Sequence, residues 1–132
     1  VSFGTLEALA SALHKSWSAD TSSAPGWTED NGAKGQCAVT ACVVQDYLGG
    51  HILNTIATLP NNETVSHYLN IVDGKMIDLT RQQFPEGTMF TKPTEKKGRY
   101  SSTREYCLSY ESTRLRYEKL RDRVADYIGS GA

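Results

Sequence analysis

The pair Asp73-Gly74, set between the β-rich runs 65–72 and 75–80, is the feature that most narrows what this chain can fold into. Asp-Gly is a favoured centre of a two-residue hairpin turn because both positions tolerate positive φ. Such a turn permits one register, in which Val72 faces Lys75, Leu69 faces Asp78 and His67 faces Thr80. Opposed residues share a face of the sheet, so His67, Leu69 and Ile71 are expected beside Met76, Asp78 and Thr80. This mostly apolar face is predicted to look toward the core. His67 and Asp78 are then diagonal neighbours with backbones roughly 7–8 Å apart, close enough for imidazole and carboxylate to meet. A core-facing carboxylate without a partner would be costly, so the pairing has a physical motive of its own.

Around this hairpin the hydrophobic periodicity places helices. Phe3, Leu6, Ala10, Leu13 and Trp17 recur at steps of three and four, predicting a helix over 3–17 with Ser2 or Thr5 as cap. Residues 36–48 are apolar nearly all round and stop at Gly49, which predicts a buried central helix. Residues 51–58 read as a further strand. Tyr117, Leu120, Val124, Tyr127 and Ile128 stripe a final helix ending at Gly129, and Ser102 with Glu105 caps a short helix before it. The segments 18–35 and 81–99 carry Pro, Gly and polar residues and are expected to be irregular, the second as a lid. The expected class is α+β, with a central helix packed on a small antiparallel sheet and flanked by N- and C-terminal helices.

At 132 residues, with 39% hydrophobic and 22% charged residues, the chain suits a single domain over 1–132 with one core. A formal net charge of −1 gives no electrostatic footprint for nucleic acid or an anionic membrane. No apolar run approaches the ~18 residues of a bilayer span, and a cytoplasmic location is expected. Three cysteines without paired spacing argue against both a disulfide framework and a metal site, and no cofactor is expected.

Cys37 opens the central helix behind Gly35, where an anion is favoured. The helix dipole contributes only ~0.3–1 kcal/mol, less than one pKa unit, so an activated thiolate needs an imidazolium partner as well. Cys37, His67 and Asp78 form a complete set of nucleophile, base and orienter. Donors for an oxyanion are expected from the Cys37 backbone N–H, with Gln36 and Trp27 as side-chain candidates. Cys42 is expected in the core, Cys107 in the core or partly exposed, His14 and His51 solvated or capping, and the basic run Lys92, Lys96, Lys97 and Arg99 on a solvated flap.

Gly35-Gln36-Cys37 to Ala41 resembles the G-x-C-x-x-x-A helix start of transglutaminase-like thiol enzymes, and 67–80 (HYLNIVDGKMIDLT) resembles their His strand, turn and Asp-x-Thr strand. Over most of the chain, the stretches GQCAVTA, VQDYLGG, SHYLNIVDGKMIDLTRQQF and RYEKLRDRV resemble the small bacterial YunG-like family. These resemblances imply a transglutaminase-like or papain-like core with a Cys-His-Asp triad. The function expected on residues and resemblance together is a cysteine-dependent hydrolase or transferase acting on a small-molecule or peptide acyl substrate. The alternative is a non-catalytic binding module in which Cys37, His67 and Asp78 are structural. Rapid alkylation of Cys37 below the ordinary thiol pKa of ~8.5 separates the two.

Overall fold

A computed structural model describes residues 3–131. The chain forms α1 (Phe3–Ser16), α2 (Cys37–Leu48), β1 (His51–Thr58), β2 (Thr64–Val72), β3 (Lys75–Ile77), β4 (Met89–Phe90), α3 (Thr103–Leu108) and α4 (Glu111–Gly131). The sheet order is β3-β2-β1-β4, antiparallel throughout. The architecture is α+β, as the patterning predicts.

The hairpin register is the one the Asp-Gly turn dictates. Val72 pairs with Lys75, Ile71 with Met76 and Asn70 with Ile77, while Asp73 and Gly74 both take positive φ. The returning strand is shorter than expected, however. It ends at Ile77 rather than running to 80, and the chain bends away through Asp78 into a 3₁₀ turn at Arg81–Gln83. The opposite edge of β2 is filled by β1 along the whole of its length, from His51 opposite Ile71 to Thr58 opposite Thr64.

The core side of the sheet also differs from expectation. The main apolar cluster joins Leu9, Leu13, Val39, Val43, Val44, Leu120 and Val124 to the sheet through Ile52, Tyr68, Ile77 and Leu79. Asn70 on that same face donates its side-chain amide to the Ala41 carbonyl at 2.9 Å. The face pressed on α2 is therefore the alternate one to His67. As a central strand, β2 is covered on both sides. His67 and Leu69 are buried on the far side, His67 under the rings of Phe84 (4.9 Å) and Phe90 (6.1 Å), whereas Met76 beyond this cover is 52% exposed.

That cover comes from the segment expected to form a lid. Met89–Phe90 pairs with Thr58 and Ala57 as an edge strand, and Thr94 bridges Asn54, so 81–94 is part of the sheet layer. The first loop is also more ordered than its composition suggests, with 3₁₀ turns at Ala19–Thr21 and Glu29–Asn31. In α1 the buried positions are Leu9, Ala12, Leu13 and Ser16, followed by Trp17 just beyond the helix. Thr5 lies within the helix, which excludes it as cap. Ser2 and the Phe3 side chain lie outside the described residues. The last helix begins at Glu111 and continues through Gly129, with Tyr117, Leu120 and Val124 buried and Tyr127 exposed. No helix among the described residues is long and apolar enough to cross a membrane.

Candidate active site

The shortness of β3 makes the site. Asn54 exchanges backbone hydrogen bonds with Thr94, and the Ile56 carbonyl accepts from Thr91, so both β1 residues direct their backbone groups toward the β4 side. Their partners across the ladder, Tyr68 and Ser66, must then point theirs away from β1, toward the edge that β3 does not reach. The first turn of α2 lies along this edge. Cys37 Sγ sits 3.9 Å from the Ser66 carbonyl oxygen, a long contact from a half-buried thiol.

What brings Cys37 there is a backbone conformation that only glycine adopts without strain. Gly35 has φ +73°, and a Cβ on it would fall 2.3 Å from Ser22 Oγ and 2.6 Å from the Ala24 nitrogen. The space a side chain at Gly35 would need is thus taken by the chain's own 22–24 loop, tied down by the Ser23 N–H to the Gly35 carbonyl at 3.0 Å. Because the first bond of the helical ladder is donated by Thr40 to Gln36, the amides of Cys37, Ala38 and Val39 precede the ladder at the start of the helix.

One residue along β2 from Ser66, the His67 side chain is wholly buried. Its Nε2–H donates to Asp78 Oδ2 at 2.8 Å, which the diagonal register predicts, although Asp78 stands just past the end of β3. Arg81 Nε donates to the same oxygen at 3.0 Å, and its guanidinium lies 3.9 Å over the Phe90 ring. The carboxylate is therefore held from two sides. Burial is the strongest single influence on His67 and favours the neutral ring. The Asp78 hydrogen bond and then the Cys37 thiol act the other way and together prevail, raising the imidazole from 6.5 to about 9. Asp78 shows the mirror image, burial pushing it up but His67 and Arg81 holding it below its ordinary value.

The three residues singled out in the sequence come together, and the two side-chain oxyanion candidates do not join them. Trp27 spends its single N–H on the Gly32 carbonyl at 2.9 Å. Gln36 is fully buried, with its amide nitrogen donating to the Ser18 carbonyl at 3.0 Å, which makes it part of the wall behind Cys37. Burial drives the other two thiols up, Cys42 to about 12 and Cys107 to about 11.

A cavity of about 280 Å³ opens on Cys37. Tyr68, Tyr106, Cys107, Lys96 and Arg116 help to line it, contributed by β2, the segment before α3, α3 itself and α4. Sequence reasoning finds none of these as site residues, since no spacing motif links them. Lys96 is the exception in part, lying in the basic run read as a solvated flap.

The family model described as YunG protein matches residues 5–129. A Bacillus subtilis (strain 168) protein whose printed name is "Uncharacterized protein YunG" is 33% identical over 118 residues, covering 89% of this chain and 90% of the relative. No solved structure matches. With nearly its whole length matched on both counts, the chain belongs to the YunG family.

Proposed function

We propose that this protein is a cysteine-dependent acyl hydrolase or acyltransferase working through a thioester on Cys37. The observation that carries the reading is the position of His67, bonded through Nε2 to Asp78 and flanked by the Cys37 thiol, whose presence raises the imidazole's proton affinity. A thiol, an imidazole and an orienting carboxylate in this relation form the generalised nucleophile–base arrangement. The likeness of 35–41 and 67–80 to the Cys and His–Asp segments of transglutaminase-like thiol enzymes supports the same assignment.

In the proposed cycle the Cys37 sulfur, its proton carried by the His67 imidazolium, attacks an acyl carbonyl carbon. A C–S bond forms while the carbonyl electron pair moves to oxygen, facing the amides of Cys37 and Ala38 at the helix start. Collapse breaks the bond to the leaving group, which takes the proton from His67. Water or an amine then attacks the thioester with His67 receiving its proton, and cleavage of the C–S bond frees the acyl product and the thiolate. Asp78 keeps the imidazole oriented and its cationic form stable throughout.

Iodoacetamide labelling with mass spectrometric readout tests this reading. Cys37 should be modified well ahead of Cys42 and Cys107, and His67→Ala should remove the preference. An activated acyl ester should leave its acyl mass on Cys37 and on no other residue. Equal labelling of all three thiols in the folded protein, or no acyl adduct, would leave a binding module with a structural His–Asp pin.

A further inference from the structure

We infer that the cavity beside Cys37 recognises an anionic group on the acyl substrate, and that Arg116 and Lys96 hold it. The inference rests on the reading of Cys37 as nucleophile and specifies which acyl compounds reach it. The chain as a whole is slightly acidic, yet the residues lining this cavity include two cations and no carboxylate.

Among the described residues no ion pair involves Lys96 or Arg116, whereas Arg81, Arg104, Arg114, Arg121 and Arg123 each have a carboxylate partner. Arg116 donates from Nη2 to Thr113 Oγ1 at 3.3 Å, and its Nε–H is buried without a partner. A buried guanidinium N–H left unmet is rare and marks a place where an acceptor belongs. Guanidinium geometry suits a planar two-oxygen anion or a phosphate.

Lys96 ties this charge to the reacting sulfur. Its ammonium lies 3.4 Å from Ser66 Oγ and 5.5 Å from the Tyr106 ring centre, and the Ser66 carbonyl is the group that Cys37 Sγ touches. One residue, Ser66, thus separates the cation from the nucleophile. The bound group is therefore a carboxylate or phosphate carried close to the scissile carbonyl.

Two alkylating agents with the same iodide leaving group test this. Iodoacetate is anionic and iodoacetamide neutral; in both reactions the Cys37 thiolate forms an S–C bond and iodide departs. The rate ratio of iodoacetate to iodoacetamide at Cys37 should exceed that of free cysteine in the same buffer by about tenfold, the size of one charged hydrogen bond. In Arg116→Gln and in Lys96→Gln it should fall toward the free-cysteine value while iodoacetamide still reacts quickly. Succinate or inorganic phosphate at tens of millimolar should slow iodoacetamide labelling of the wild type, and the better protector distinguishes carboxylate from phosphate. A free-cysteine ratio in a wild type that iodoacetamide still labels fast overturns the anion site alone. So does a raised ratio that survives both substitutions, which would trace it to the His67 imidazolium. Protection by neither anion also overturns it. Slow, unselective labelling by both reagents overturns the nucleophile itself, and the anion site with it.

Discussion

Asp20 and Asp78 are two carboxylates that basic neighbours hold below their ordinary range, and they do different things. Asp20 sits on the 3₁₀ turn after α1 with its side chain 47% exposed, accepts from Arg123 at 3.0 and 2.8 Å and from Ser18, and has the Lys119 ammonium 3.8 Å away as a looser ion pair. It clips the start of the first loop to α4. Asp78 is 7% exposed and spends one oxygen on both His67 and Arg81. A depressed carboxyl alone therefore does not identify a site here. What distinguishes Asp78 is that its partner is a buried imidazole whose other neighbour is a thiol at a cavity mouth.

The largest expected separation between the two carboxylates is chemical. Asp78→Ala should slow acyl transfer or alkylation at Cys37 by roughly 10²- to 10⁴-fold, the scale of general acid–base help, while Asp20→Ala leaves that rate unchanged. Equal effects in a rate assay would erase the distinction. Next comes pH. Because His67 is raised from 6.5 to about 9, its contribution to folding is complete below pH 6.5 and disappears as the pH rises through about 9, a loss of about 3 kcal/mol. Asp78 is lowered, so its contribution holds above 3.8 and is lost in acid below that. Melting temperature against pH should thus plateau from about 4 to 6.5 and decline on the alkaline side, and His67→Ala should remove the alkaline decline. The third effect is thermal. Asp78→Ala strands a buried imidazole N–H at a cost of about 1–3 kcal/mol, several degrees in a domain of this size. Asp20→Ala should cost no more than about 1 kcal/mol, since solvent screens an exposed pair, and added salt should shrink the difference further. The smallest effect belongs to Cys37→Ala, which removes one half-buried sulfur and should change stability by only about 0.5 kcal/mol. A loss matching that of Asp78→Ala would mean that the three side chains serve packing.

The parts of this site that were legible in the sequence are those fixed by local rules. Asp73-Gly74 sets the register that brings His67 to Asp78, and Gly35 with the apolar run after it sets Cys37 at a helix start. Long-range packing supplied the rest. Alternation along β2 could not say which face meets α2, because Leu69 and Asn70 are both buried on a strand covered from both sides. Met89–Phe90 is too short, between Gly87 and Pro93, for a strand signal to rise above its surroundings. The first turn of α4, polar from Glu111 to Arg114, carries no apolar stripe to mark a start. Lys96, Tyr106 and Arg116 meet at the cavity only because α3 and α4 fold back beside β2, which no spacing in the chain encodes.

The stub that is β3 has a consequence for the company this protein keeps with itself. A β-sheet usually ends in strands whose unpaired backbone groups can recruit another chain. Here one flank offers the three residues of β3, with Lys75 exposed upon it, and beyond them the helix carrying Cys37 lies against the rest of β2. The other flank offers the two residues of β4, followed closely by Pro93, which has no N–H to give. The break in the sheet that admits the Cys37 thiol therefore also leaves a neighbouring copy little template on which to add its strands, so the candidate site and a blunted sheet edge arise from the same early end to one strand.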